Sequence, residues 1–88
     1  MIRRRVVVHG LVQGVFFRDT VRRQAEQRGV AGWMRNNPDG TVEAVLEGEP
    51  EAVLRLVELC RRGPRGAHVD RIEVVEEEPQ ALRGFDVG

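Results

Sequence analysis

The chain of 88 residues has no lysine, no serine and no tyrosine, and its single cysteine is Cys60. Each gap removes a class of chemistry. Without lysine there is neither a Schiff base nor the lysine of a nucleotide-binding phosphate loop, and without serine there is no Ser–His–Asp nucleophile. A lone cysteine cannot close an intrachain disulfide, so stability has to come from packing. The two histidines, His9 and His68, stand far apart, and no His, Cys and carboxylate group has the spacing of metal ligands. No metal, no other cofactor and no covalent intermediate are therefore expected of any enzyme built from this chain. Long apolar runs are missing as well. The start, MIRRRVVVHG, carries three consecutive valines, too few for a signal core or a membrane span. Together with the single cysteine, this predicts a cytoplasmic protein with no membrane partner.

What is present is globular: 41% hydrophobic and 32% charged residues, with 14 basic groups, all arginine, balanced by 14 acidic ones. The length suits one small domain over residues 1–88, with chain enough for one core, and nothing demands more than a monomer. Zero net charge and the lack of an aromatic-rich strand motif argue against nucleic acid as a partner. Arg3, Arg4 and Arg5 are accordingly expected to be a solvated strand start.

Residues 3–9 end in a β-branched run and read as a strand. Residues 18–28 read as a helix in which Val21, Ala25 and the preceding Phe17 line one face at spacings of four. Gly29 falls where a left-handed terminator belongs. Residues 30–36 form a second strand, NPDG at 37–40 a turn, and residues 41–47 a third strand with Val42, Ala44 and Leu46 on one face. That makes a β-hairpin. Residues 49–63 carry the plainest helical pattern: Pro50 in the first turn, arginines in the last, Gly63 beyond. Val53, Leu56, Val57 and Cys60 make its apolar stripe. Residues 68–77 read as a fourth strand, and Phe85 to Val87 as a short edge strand. The order β-α-β-β-α-β predicts an α+β, ferredoxin-like sandwich, a mostly antiparallel sheet with both helices on one face.

This topology has a chemical consequence. A β-α-β crossover points the first two strands the same way, so their carboxyl ends share one edge of the sheet. The loop of residues 10–17, the amino end of the first helix with Arg18, and Arg35-Asn36-Asn37 at the end of the second strand converge there. Backbone N–H groups in a glycine-bounded loop can line an anion nest, and a helix amino terminus adds donors and positive potential. An arginine in a first helical turn opposes the helix dipole, yet its planar fork suits two phosphate oxygens. The same residues also admit a plainer reading, as a common turn and a solvated arginine.

Two stretches then carry a resemblance. VHGLVQGVFFR at residues 8–18 and GWMRNNPDGTVEAVLEG at residues 32–48 resemble the two signatures of the acylphosphatases, in register and at matching separation. The resemblance implies a small metal-independent hydrolase that cleaves acyl phosphates to a carboxylate and inorganic phosphate. It places the family's phosphate-binding arginine on Arg18 and its water-orienting asparagine on Asn36. The phosphate cradle falls on the backbone amides of Val12, Gln13, Gly14, Val15 and Phe16. Met34 departs from the pattern, standing where a smaller apolar residue is usual, and its side chain is expected on the same face as that of Asn36. His9 and Phe16 fall at variable positions.

The remaining residues have plainer roles. Gly10 and Gly14 are expected to supply loop conformation through positive backbone angles and close approach of an anion. Gln13 is expected to brace the loop with its side chain, and Asn37 to be the turn residue beside the chemical one. His9 and His68 read as satisfied or exposed strand residues, Cys60 as a buried small hydrophobe, and Trp33 and Phe17 as core. Two rival functions stand beside the hydrolase. One is a non-catalytic phosphate-binding or regulatory module of the same fold, as in larger carbamoyl-transfer proteins; the absence of chain beyond residue 88 favours a freestanding enzyme over it. The other is a ferredoxin-like RNA binder.

Overall fold

The computed structural model describes residues 1–14 and 16–88; Val15, one of the expected loop amides, lies outside the described residues. Among the described residues seven elements follow in chain order: β1 (Ile2–Leu11), α1 (Phe17–Arg28), β2 (Ala31–Asn36), β3 (Val42–Gly48), α2 (Pro50–Arg62), β4 (His68–Glu77) and β5 (Phe85–Val87). The sheet order is β4-β1-β3-β2-β5. β3 pairs antiparallel with both β1 and β2, so β1 and β2 run the same way with β3 between them. β4 adds antiparallel to β1, and β5 adds parallel to β2 at the far edge. The expected α+β sandwich is the observed one, with element boundaries shifted by a residue or two.

Periodicity explains how the helices sit. Phe17, Val21 and Ala25 of α1 are buried, as are Val53, Leu56, Val57 and Cys60 of α2. They pack on Val6 and Val8 of β1, Met34 of β2, and Val42, Ala44 and Leu46 of β3 in one core. Each fully buried aliphatic side chain there is worth about 1.5–3 kcal/mol over exposure. Both helices stop on glycine. Gly29 takes φ +69°, and the Val30 N–H reaches back to the Ala25 carbonyl at 2.8 Å, closing the last turn. Gly63 takes φ +74°, and its N–H bonds the Leu59 carbonyl at 2.7 Å. Among the described residues no helix is long and apolar enough to cross a membrane.

The sheet's other face overturns two expectations. Among the described residues no helix covers it; it is dressed by the odd-numbered residues of the central strands. Arg3, expected in solvent, is only 5% exposed. It lies on a central strand, flanked by Glu47 across β3 and Glu77 across β4. Arg3 Nη1 donates to Glu47 at 3.3 Å and Nε to Glu77 at 2.8 Å. Arg5 bridges Glu77 and Glu43 in the same array. Trp33, expected in the core, also faces this side, because alternation along β2 gives the helix-covered face to Met34. Its ring lies under two guanidiniums, Arg35 at 5.0 Å and Arg5 at 5.5 Å from the centroid. Glu47 ties the array to the connection before β5: its carboxylate accepts the backbone N–H of Gln80 and of Leu82, each at 3.0 Å.

Gly10 sits just past a register shift in the β1–β4 pairing, beyond the last β1–β3 pair at Val8. It takes φ +132°, and a Cβ there would stand 2.1 Å from the His68 carbonyl oxygen of β4. The close neighbour at Gly10 is thus the adjacent strand. Gly10→Ala combines overpacking with an unfavourable backbone angle, so a loss of about 2–3 kcal/mol is expected. In thermal unfolding this should read as a fall of about 10 °C or more.

Candidate active site

The turn between β2 and β3 is fixed by its own polar groups. The Asn37 N–H donates to the Thr41 carbonyl at 2.8 Å and the Gly40 N–H to the Asn37 carbonyl at 3.1 Å. Asp39 accepts the Thr41 hydroxyl at 2.6 Å and its N–H at 3.0 Å, which holds the Asp39 carboxyl below the usual carboxylate range. The Asn37 side-chain amide donates to the Thr41 hydroxyl at 3.0 Å and to Glu43 at 3.2 Å. Burial pushes the Glu43 carboxyl up, but hydrogen bonds from Arg5, Asn37 and Arg35 outweigh it and leave it below its ordinary value. Asn37 therefore has its side chain committed to the turn, while Asn36, the last residue of β2, is exposed at the sheet edge.

The loop after β1 is tied to this turn by Gln13. Its side-chain amide donates to the Asn37 carbonyl at 2.8 Å and to the Thr41 carbonyl at 2.9 Å. Val12 anchors the loop from below, with its side chain in the core. Gly14 takes φ +75° and Phe16 φ +58°. Phe16 is the residue before α1, and its carbonyl accepts the Thr20 N–H at 3.0 Å to start the helix. A left-handed angle is costly for an aromatic residue, and its side chain is 80% exposed, so packing does not repay it.

Between loop, helix and strand end lies a cleft of about 480 Å³. Of the residues expected from the sequence, Val12, Gly14, Phe16, Arg18 and Asn36 line it. Gln13 braces the loop and Gly10 lies against β4; neither is on the cleft wall. Arg18 is half-buried and, among the described residues, makes no ion pair and no side-chain hydrogen bond. Asp19, Arg22 and Val87 also line the cleft and escaped the sequence reading. A helical wheel finds Arg22, which stands four residues after Arg18 and so on the same side; Val87 arrives through the β2–β5 pairing. His9 lies outside the cleft, its Nε2 2.6 Å from Glu73.

The likeness to known proteins agrees with this geometry. The family model described as Acylphosphatase matches residues 4–87. The chain is 52% identical over 86 residues to an acylphosphatase of Gloeobacter violaceus, covering 98% of this chain and 92% of that one. It is 59% identical over 85 residues to an acylphosphatase of Rubrobacter xylanophilus, covering 94% and 76%. The crystal structure of acylphosphatase from Bacillus subtilis superposes with a TM-score of 0.94 at 36% identity, covering 100% of this chain and 99% of that one. Sequence, topology and cleft agree, and the chain belongs to the acylphosphatase family.

Proposed function

We propose that the protein hydrolyses the carboxyl–phosphate bond of acyl phosphates, with Arg18 and the loop amides holding the phosphoryl oxygens and Asn36 placing the water. The observation that carries the assignment of roles is the meeting of Arg18, uncommitted to any other described residue, with Asn36 on one cleft wall. The leaving group is a carboxylate, which departs without a strong general acid. The obstacle is charge, since water must approach a phosphoryl group that already bears negative oxygens. In a loose transition state, catalysis is mostly positioning and electrostatic stabilisation. Arg18 supplies a planar pair of donors, and the N–H groups of Val12 to Phe16 and the start of α1 supply the rest. Asn36 has both donor and acceptor and no useful acidity, so it orients water without deprotonating it. As oxygen bonds to phosphorus and the acyl C–O–P link opens, the water's proton passes to a phosphoryl oxygen of the substrate.

Every group invoked belongs to one chain, and no step is routed through a metal ion. One monomer suffices for this chemistry on a small molecule, and the single cysteine suits a reducing, cytoplasmic setting. Benzoyl phosphate in the presence of a chelator is the test: steady turnover is expected, with phosphate monoesters left largely intact. Asn36→Ala should lower kcat by about 10²-fold through lost positioning, while inhibition by inorganic phosphate stays close to wild type. An inert wild-type protein overturns the activity. Loss of phosphate binding in Asn36→Ala overturns the division of roles.

A further inference from the structure

Asp19 and Arg22 line the cleft but are not called upon for the phosphate or the water in the roles proposed above. Asp19 follows the phosphate-binding arginine directly, where a bare carboxylate would repel an incoming anion. It is neutralised from two sides: Arg22 Nη2 donates to one oxygen at 2.9 Å and Arg23 Nη2 to the other at 3.1 Å. The cleft wall thus carries two arginines against one paired aspartate and keeps a surplus of positive charge. Asp19 also pins the Arg22 guanidinium in place.

Arg22 Nε is buried, and among the described residues it has no hydrogen-bond partner. That buried N–H carries a desolvation cost, but the side chain as a whole is 40% exposed. Its outer Nη1, which is neither buried nor hydrogen-bonded among the described residues, is the donor an oxygen arriving in the cleft can meet. Arg22 stands one helical turn beyond Arg18, about 6 Å along the axis and on the same side. A short diacid with the phosphoryl group on one carboxyl spans such a distance with its free carboxylate.

We infer that Arg22 is a specificity-determining residue that receives a second anionic group on the acyl portion, so that acyl phosphates of short diacids are preferred over neutral ones. The inference rests on the phosphoryl group lying at Arg18, as proposed above. Asp19 acts through Arg22 as a positioning residue.

Steady-state kinetics with succinyl phosphate and benzoyl phosphate test this on the intact protein. The wild type is expected to show the higher kcat/KM on succinyl phosphate. Arg22→Gln should lower the ratio of the two kcat/KM values by about tenfold or more, mainly through KM for succinyl phosphate, as loss of a charge-assisted hydrogen bond implies. Arg23→Gln is the control: Arg23 is outside the cleft lining, and its removal leaves Asp19 paired with Arg22. It should leave the ratio at its wild-type value. A ratio unmoved by Arg22→Gln, or lowered equally by Arg23→Gln, overturns the inference and leaves the proposed hydrolysis standing. Failure of the wild type on both substrates removes that hydrolysis and the inference with it.

Discussion

Arg18→Ala is expected to lower kcat/KM on benzoyl phosphate by about 10³-fold, at the upper end of what one preorganised donor contributes to an oxyanion site. Inhibition by inorganic phosphate should weaken in parallel, because under the proposed roles the guanidinium would meet phosphoryl oxygens in the bound state as well as in the transition state. The fold should scarcely notice: Arg18 is half-buried and has no ion-pair partner among the described residues, so stability is expected to stay within about 0.5 kcal/mol. Arg18→Lys separates charge from shape. An ammonium keeps the positive charge but loses the planar fork, so only part of the activity should return. If Arg18→Ala retains turnover, or loses it only by unfolding, the assigned role is wrong.

The largest effect on stability is expected at Glu47. Its side chain is 1% exposed, and it holds Arg3 on one side and the Gln80 and Leu82 N–H groups on the other. Glu47→Ala strands a buried guanidinium that keeps only Glu77 and leaves two backbone donors without their acceptor. Breaking a buried pair in this way costs about 3–5 kcal/mol, a large fraction of the 5–15 kcal/mol typical of a domain. Thermal unfolding should fall by more than about 10 °C. The pH dependence has a definite sign. Burial pushes the Glu47 carboxyl up, but the N–H groups of Gln80 and Leu82 and the Arg3 guanidinium outweigh it and hold it below the ordinary value of 4.5. The unfolded chain therefore takes up this proton first. The contribution is present in full above pH 4.5 and is lost as pH falls through the depressed folded value. A melting series from pH 6 downward should show wild type losing stability in that window more steeply than Glu47→Gln. Equal slopes would mean that the ionised carboxylate does not hold the connection.

Much of this was legible because it depends on local period and turn chemistry. Val53, Leu56, Val57 and Cys60 could hardly serve anything but a helix facing a core, and Gly29 and Gly63 mark its kind of ending. The meeting of Arg18 and Asn36 in one cleft was legible for a different reason: chain direction sends β1 and β2 to the same edge. Trp33 and Arg3 were misread because both depend on which face of the sheet the helices cover. An indole is apolar enough for a core, and here it forms a platform for Arg5 and Arg35 instead. An arginine at a strand start is ordinarily solvated, but Arg3 lies between two strands that each present a glutamate. Arg22 was within reach of the sequence. Val87 was not, since it reaches the cleft only through the β2–β5 pairing.

Cys60, the sole sulfhydryl, lies at zero exposure on the sheet-facing side of α2, where burial pushes its pKa up to about 12. A thiol so protonated and so covered does not react while the helix stays docked. The untouched chain thus carries its own reporter of breathing. In a neutral labelling reaction, each adduct counts one molecule in which α2 has lifted from the sheet. The slow rate of adduct formation would then measure, without any engineered probe, how often the core that Cys60 shares with Val12 and Phe17 comes apart.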